Sequence, residues 1–121
     1  MKRRYSLKGL KRFKEVIANG KRVYGKGMRM IVYMKPLQAE GNMNNILQSR
    51  FAIVVTKTYG NAVERNRIKR QIRSILVTLM PQMRQGFAVI IFPDTTCKAM
   101  QYNHLVVSVK QVLLKSGVLK Q

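Results

Sequence analysis

Apolar residues recur along this chain with two periods, and each period marks an element. Leu10, Phe13, Val16 and Ile17 fall at helical spacing and predict a first helix over residues 8–19, with Gly20 as a C-cap candidate. Its polar side carries Lys8, Lys11, Arg12 and Lys14. The period then changes to two. Met30, Val32 and Met34 alternate with Arg29, Ile31, Tyr33 and Lys35, which predicts a strand over 28–35 with one apolar face and one mixed apolar, aromatic and basic face. A shorter strand over 22–24 precedes it, the two separated by Gly25 and Gly27.

Residues 36–49 break the pattern as a polar loop. A buried strand resumes over 51–56, and helical spacing returns with Ile68, Ile72, Ile75, Leu76 and Leu79 on one face. Asn61 is placed to cap that helix and Glu64, three residues on, to close a capping box; Pro81 ends it. A strand over 87–92 and a helix over 100–116 follow, the helix with Leu105, Val109, Val112 and Leu113 inward. The order α-β-β-β-α-β-α reads as one α+β domain over 1–121, a four-stranded sheet with helices packed on it. Residues 1–6 form a basic tail and residues 117–121 a C-terminal tail.

The helix after Asn61 carries more than a core face. Arg65, Arg67, Lys69, Arg70 and Arg73 place five cations in nine residues. At about 100° per residue, Asn66, Lys69, Arg70 and Arg73 share one side with Arg67 at its edge. The macrodipole favours carboxylates at a helix start and cations at its end, by roughly 0.3–1 kcal/mol each. Here cations crowd the early turns while residues 74–83 carry no charge. Helix stability does not explain that order; a phosphate ligand, which gains from both the guanidinium groups and the helix N-terminus, does.

Composition widens the same conclusion to the whole chain. Lys and Arg number 24 against four acids, a formal net charge of +20 on 121 residues, so an anionic polymer is the natural partner. With 46% hydrophobic residues the chain is a folded module and not a disordered basic tail. Glu15, Glu40, Glu64 and Asp94 are scattered singly, which leaves no carboxylate pair for acid–base or metal-dependent hydrolysis. Cys97 and His104, each the one residue of its type, permit neither a disulfide nor a four-ligand zinc site. Cys97 reads as a buried or incidental thiol and His104 as a surface or structural residue. A reducing cytoplasm suits this chain. Its apolar runs are strand-sized, far short of the roughly 20 residues of a membrane span.

The string Val55-Thr56-Lys57 through Gly60-Asn61-Ala62-Val63-Glu64-Arg65-Asn66-Arg67-Ile68-Lys69-Arg70 resembles the signature of the protein subunit of bacterial ribonuclease P. The element order, Phe13 and the strand Met30-Ile31-Val32-Tyr33 extend the resemblance from Tyr5 to Ser116. It implies an α+β sandwich with a left-handed crossover, a fold shared with a domain of a small-subunit ribosomal protein. It implies a role beside a catalytic RNA that removes the 5′ leader of precursor tRNA, with magnesium ions held mainly by the RNA. The partners are then ribonuclease P RNA and precursor tRNA, with neither a membrane nor a small-molecule substrate.

Position by position, the resemblance assigns Lys57, Arg65, Asn66, Arg67, Lys69, Arg70 and Arg73 to contacts with the catalytic RNA. It assigns Phe13, Ile17 and Tyr33 to a cleft for the single-stranded leader, where an aromatic ring stacks a base without reading it. Ile17 stands where an aromatic is often found, and Thr58 where a second Lys is common. Other readings are a small ribosomal protein of like charge and size, a DNA-binding protein laying the basic helix in a groove, and a free-standing nuclease. The second lacks a helix-turn-helix partner before the basic helix, and the third lacks a catalytic cluster.

Overall fold

The computed structural model describes residues 10–33, 50–84 and 86–119. The expected basic tail, the whole polar loop over 36–49 and Met34 and Lys35 lie outside them. Helix α1 (Leu10–Asn19) leads into strand β1 (Lys21–Gly25) and strand β2 (Met28–Tyr33); β3 (Arg50–Ile53) precedes helix α2 (Ala62–Leu79), then β4 (Ala88–Pro93) and helix α3 (Tyr102–Ser116). The strands form one sheet in the order β1-β2-β4-β3. β1 with β2 and β2 with β4 are antiparallel; β3 with β4 is parallel. A parallel pair needs a crossover, and α2 is its helix. This is the connection that the family resemblance makes left-handed.

The sheet is covered on both faces because its strands alternate. Met30, Val32, Phe51, Val89 and Ile91 enter the main core with Ile68, Ile72, Ile75 and Leu76 of α2 and Leu105, Val109 and Leu113 of α3. Every apolar residue assigned inward on α2 and α3 is buried. The other face meets α1 in a smaller cluster of Val16, Ile31, Ala88 and Ile90. Ile31, placed by alternation on the mixed face, is as buried as its neighbours because α1 covers that part of the face through Val16.

Gly20 takes the expected C-cap place for a reason of packing, and two other expectations need correction. Gly20 follows the last residue of α1 without adopting a left-handed φ. Its N–H donates to the Val16 carbonyl at 2.7 Å, and a Cβ there would lie 2.5 Å from both that oxygen and Ile31 Cγ2. Glycine is needed at this point for close approach of helix to sheet. The strand expected to reach Thr56 ends at Ile53, apart from one more bond from Val54 N–H to the Ile91 carbonyl at 2.9 Å. A single turn of 3-10 helix, Lys57–Tyr59, then leads to α2 and buries Tyr59. Residues 117–119 are no tail: Val118 and Leu119 are buried, Leu119 bridges Met83, and the Val118 carbonyl accepts from Arg84 N–H at 2.8 Å.

Candidate nucleic-acid interface

The start of α2 is fixed by local chemistry. Asn61 Oδ1 accepts from Glu64 N–H at 2.9 Å and Glu64 Oε1 accepts from Asn61 N–H at 3.0 Å, the reciprocal pair of a capping box. Glu64 also ion-pairs with Lys98 at 3.4 Å. The Asn61 amide first, and the Lys98 ammonium second, hold the Glu64 carboxyl below its ordinary pKa. At the far end α2 gives way after Leu79 to a 3-10 turn containing Pro81. The basic residues therefore project from a helix whose first turn is held in register.

The polar side chains of α2 line two hollows. Asn66, Lys69, Arg70 and Arg73 line an open hollow of about 490 Å³ together with Val63, which is 74% exposed. Arg67 lies on the other flank, in a smaller hollow with Tyr59, Glu64, Gln71 and Lys98. Arg65 is half-buried and turns back, its Nε donating to the Asn61 carbonyl at 3.4 Å. Lys57 is exposed on the 3-10 turn before the helix and lines neither hollow.

Two residues join that the sequence reading did not single out. Val63 sits three residues before Asn66 and seven before Arg70, so the helical period could have found it. Lys98, from the turn after β4, reaches α2 only through the fold; its Nζ lies 5.3 Å from the Tyr59 ring centroid.

Beneath this flank, Cys97 is buried and donates its Sγ hydrogen to the Gly27 carbonyl at 3.0 Å. Gly27, with φ 81°, turns the β1–β2 hairpin; a Cβ there would press on Cys97 Sγ and Met100. Burial, then the nearby Asp94, pushes the thiol up to about 11. His104 is exposed on the first turn of α3. Among the described residues no three His, Cys, Asp or Glu side chains gather as metal ligands.

The second set of expected site residues lies on the opposite sheet face. Phe13, Ile17 and Tyr33 are half-buried and pack on the cluster of Val16, Ile31, Ala88 and Ile90, beside Ala52, Val54 and Phe92. α1 thus leaves a strip of apolar and aromatic surface between itself and the strands. Burial, then a hydrogen bond and the charge of Glu15, raise the pKa of the Tyr33 hydroxyl. It stays a neutral phenol at physiological pH, able to donate and accept.

A family model described as Ribonuclease P matches residues 1–117. The chain belongs to the ribonuclease P protein family.

The ribonuclease P protein component of Finegoldia magna is 30% identical over 111 residues, spanning 92% of this chain and 89% of the relative. That of Microcystis aeruginosa is 32% identical over 117 residues, spanning 95% and 92%. The structure resembles the ribonuclease P protein of Staphylococcus aureus with a TM-score of 0.80 at 25% identity, covering 96% of this chain and 98% of that one. The Thermotoga maritima ribonuclease P protein, at 18% identity and TM-score 0.76, covering 91% and 96%, shares the fold. Family membership makes the chain part of a ribonuclease complex that processes tRNA, with ribonuclease P RNA as partner, and does not favour the ribosomal reading. No helix of the described residues is long and apolar enough to cross a membrane.

Proposed function

We propose that this chain acts in the cytoplasm as the accessory subunit of ribonuclease P, helping a catalytic RNA remove the 5′ leader of precursor tRNA. Lys57, Arg65, Asn66, Arg67, Lys69, Arg70 and Arg73 bind the catalytic RNA through its phosphates. Phe13, Ile17 and Tyr33 receive the single-stranded leader of the substrate. The observation that carries this reading, within the family, is the capped α2. Its apolar face is buried, and Arg67, Arg70 and Arg73 stand exposed with one carboxylate, Glu64, already engaged.

In this reading the chemistry belongs to the RNA. The protein's donor set supports that division. Glu64 is engaged by the Asn61 amide and Lys98, and Asp94 caps the turn after β4 through Thr96 N–H at 2.8 Å, so both carboxylates already have partners within the protein. Magnesium ions are then held mainly by RNA phosphates. The protein lowers the repulsion between two RNAs and orients the leader. At the leader face a ring stacks a base of any identity, which suits leaders of variable sequence.

The test is single-turnover cleavage of a precursor tRNA by a bacterial ribonuclease P RNA at low magnesium, with this protein or with basic proteins of matched charge. Stimulation at the mature 5′ junction beyond the matched controls is expected. Stimulation no greater than theirs would leave a general RNA-binding module.

A further inference from the structure

The sheet face that carries Tyr33 continues past it. On β2, Ile31 and Arg29 share the side of Tyr33 by alternation. Strand register extends each of them into a row: Tyr24 and Phe92 flank Arg29, while Arg22 and Ile90 flank Ile31. α1 covers the middle of this face through Val16, over Ile31 and Ile90. The outer row stays open, with Tyr24 61% exposed, Arg29 exposed and Phe92 half-buried.

The chemistry of the row is not that of a bare strand edge. The Arg29 guanidinium lies over the Phe92 ring, 4.4 Å from its centroid. A guanidinium held on a ring keeps its planar fork of N–H donors for phosphate oxygens. No carboxylate of the described residues ion-pairs with Arg29. Of the acids on the adjoining elements, Asp94 caps Thr96 N–H, and Glu15 lies near Tyr33, at the far end of β2. Arg22 and Arg29 therefore place two cations beside an exposed aromatic ring, a pairing that fits the backbone and bases of a single strand. Arg29 and Tyr33 stand four positions apart, about 13 Å along β2.

We propose that Arg22, Tyr24, Arg29 and Phe92 form a second station for single-stranded RNA, taking leader nucleotides that have passed Phe13, Ile17 and Tyr33. Tyr24 stacks a base, and Arg22 and Arg29 hold the phosphates on either side of it. The proposal rests on the leader reading above and extends it across the sheet. A row that served only to protect a sheet edge would affect stability and not leader binding.

The experiment uses the protein reconstituted with a bacterial ribonuclease P RNA. Affinity is measured for mature tRNA and for precursors whose leaders lengthen one nucleotide at a time, with unfolding midpoints of each variant alongside. In Tyr24→Ala and Arg29→Gln the loss of affinity is expected to grow with leader length, reaching about five-fold to a hundred-fold once the leader passes Tyr33. A loss independent of leader length, or no loss at any length, overturns the second station. Phe13→Ala is measured in parallel. Equal losses on precursor and mature tRNA in that variant would remove the first leader contact itself, an outcome read separately from Tyr24.

Discussion

The Cys97 thiol donates to the Gly27 carbonyl across 70 residues of sequence, and burial pushes its pKa up to about 11. Its thiolate population at neutral pH is then about a hundred-fold below that of a free thiol. Alkylation of Cys97 by iodoacetamide is expected to be at least that much slower in the native protein than in urea at the same pH. Equal rates in a kinetic assay would show the thiol to be accessible. The sequence left Cys97 as buried or incidental; its burial and its partner come from the fold, because a contact with a hairpin glycine leaves no local trace. Phe13, Ile17 and Tyr33 show the same limit from the other side. Helical spacing and alternation put each on an apolar or mixed face, yet only the packing of α1 on β2 and β4 makes them half-buried neighbours.

At the level of elements, α2 is the most readable part of the chain, because a capping box, an apolar stripe and a terminal proline all act within a few residues. What lay beyond reach was Lys98, which arrives from the turn after β4 and adds its charge to Glu64. The Glu64 carboxyl is depressed in the fold, so its stabilising effect is present above the pKa it has when unfolded and is lost as pH falls through the folded value. Wild type and Glu64→Gln should therefore differ in urea midpoint at neutral pH, wild type being the more stable, and converge as pH drops below the ordinary carboxylate range. A difference that persists unchanged into acid would assign the effect to shape and not to charge. The end of β3 shows the opposite balance: an apolar run through Val55 suggested a longer strand, but the chain must turn to bring Tyr59 into the core and Asn61 to the helix start.

For the whole molecule, a net charge of +20 makes RNA affinity a function of salt through counterion release. Arg70→Ala removes one exposed cation from the open flank of α2 and leaves the buried face of Ile68, Ile72 and Ile75 intact. Its affinity for ribonuclease P RNA should fall, and the slope of log affinity against log salt should become shallower by about one, with the circular dichroism spectrum unchanged. An unchanged slope with unaltered folding would place Arg70 outside the phosphate contacts. The sequence by itself determined the element order, the inward faces of α2 and α3, the cap of α2 and the cationic character of its exposed side, since each depends on residues within a few turns or on composition. The tertiary structure alone decided that β3 pairs parallel to β4, that Lys98 comes to lie beside Glu64 and Arg67 of α2, and that Tyr24, Arg29 and Phe92 form a row. Those features depend on strand register and on the packing of distant segments, which periodicity does not encode.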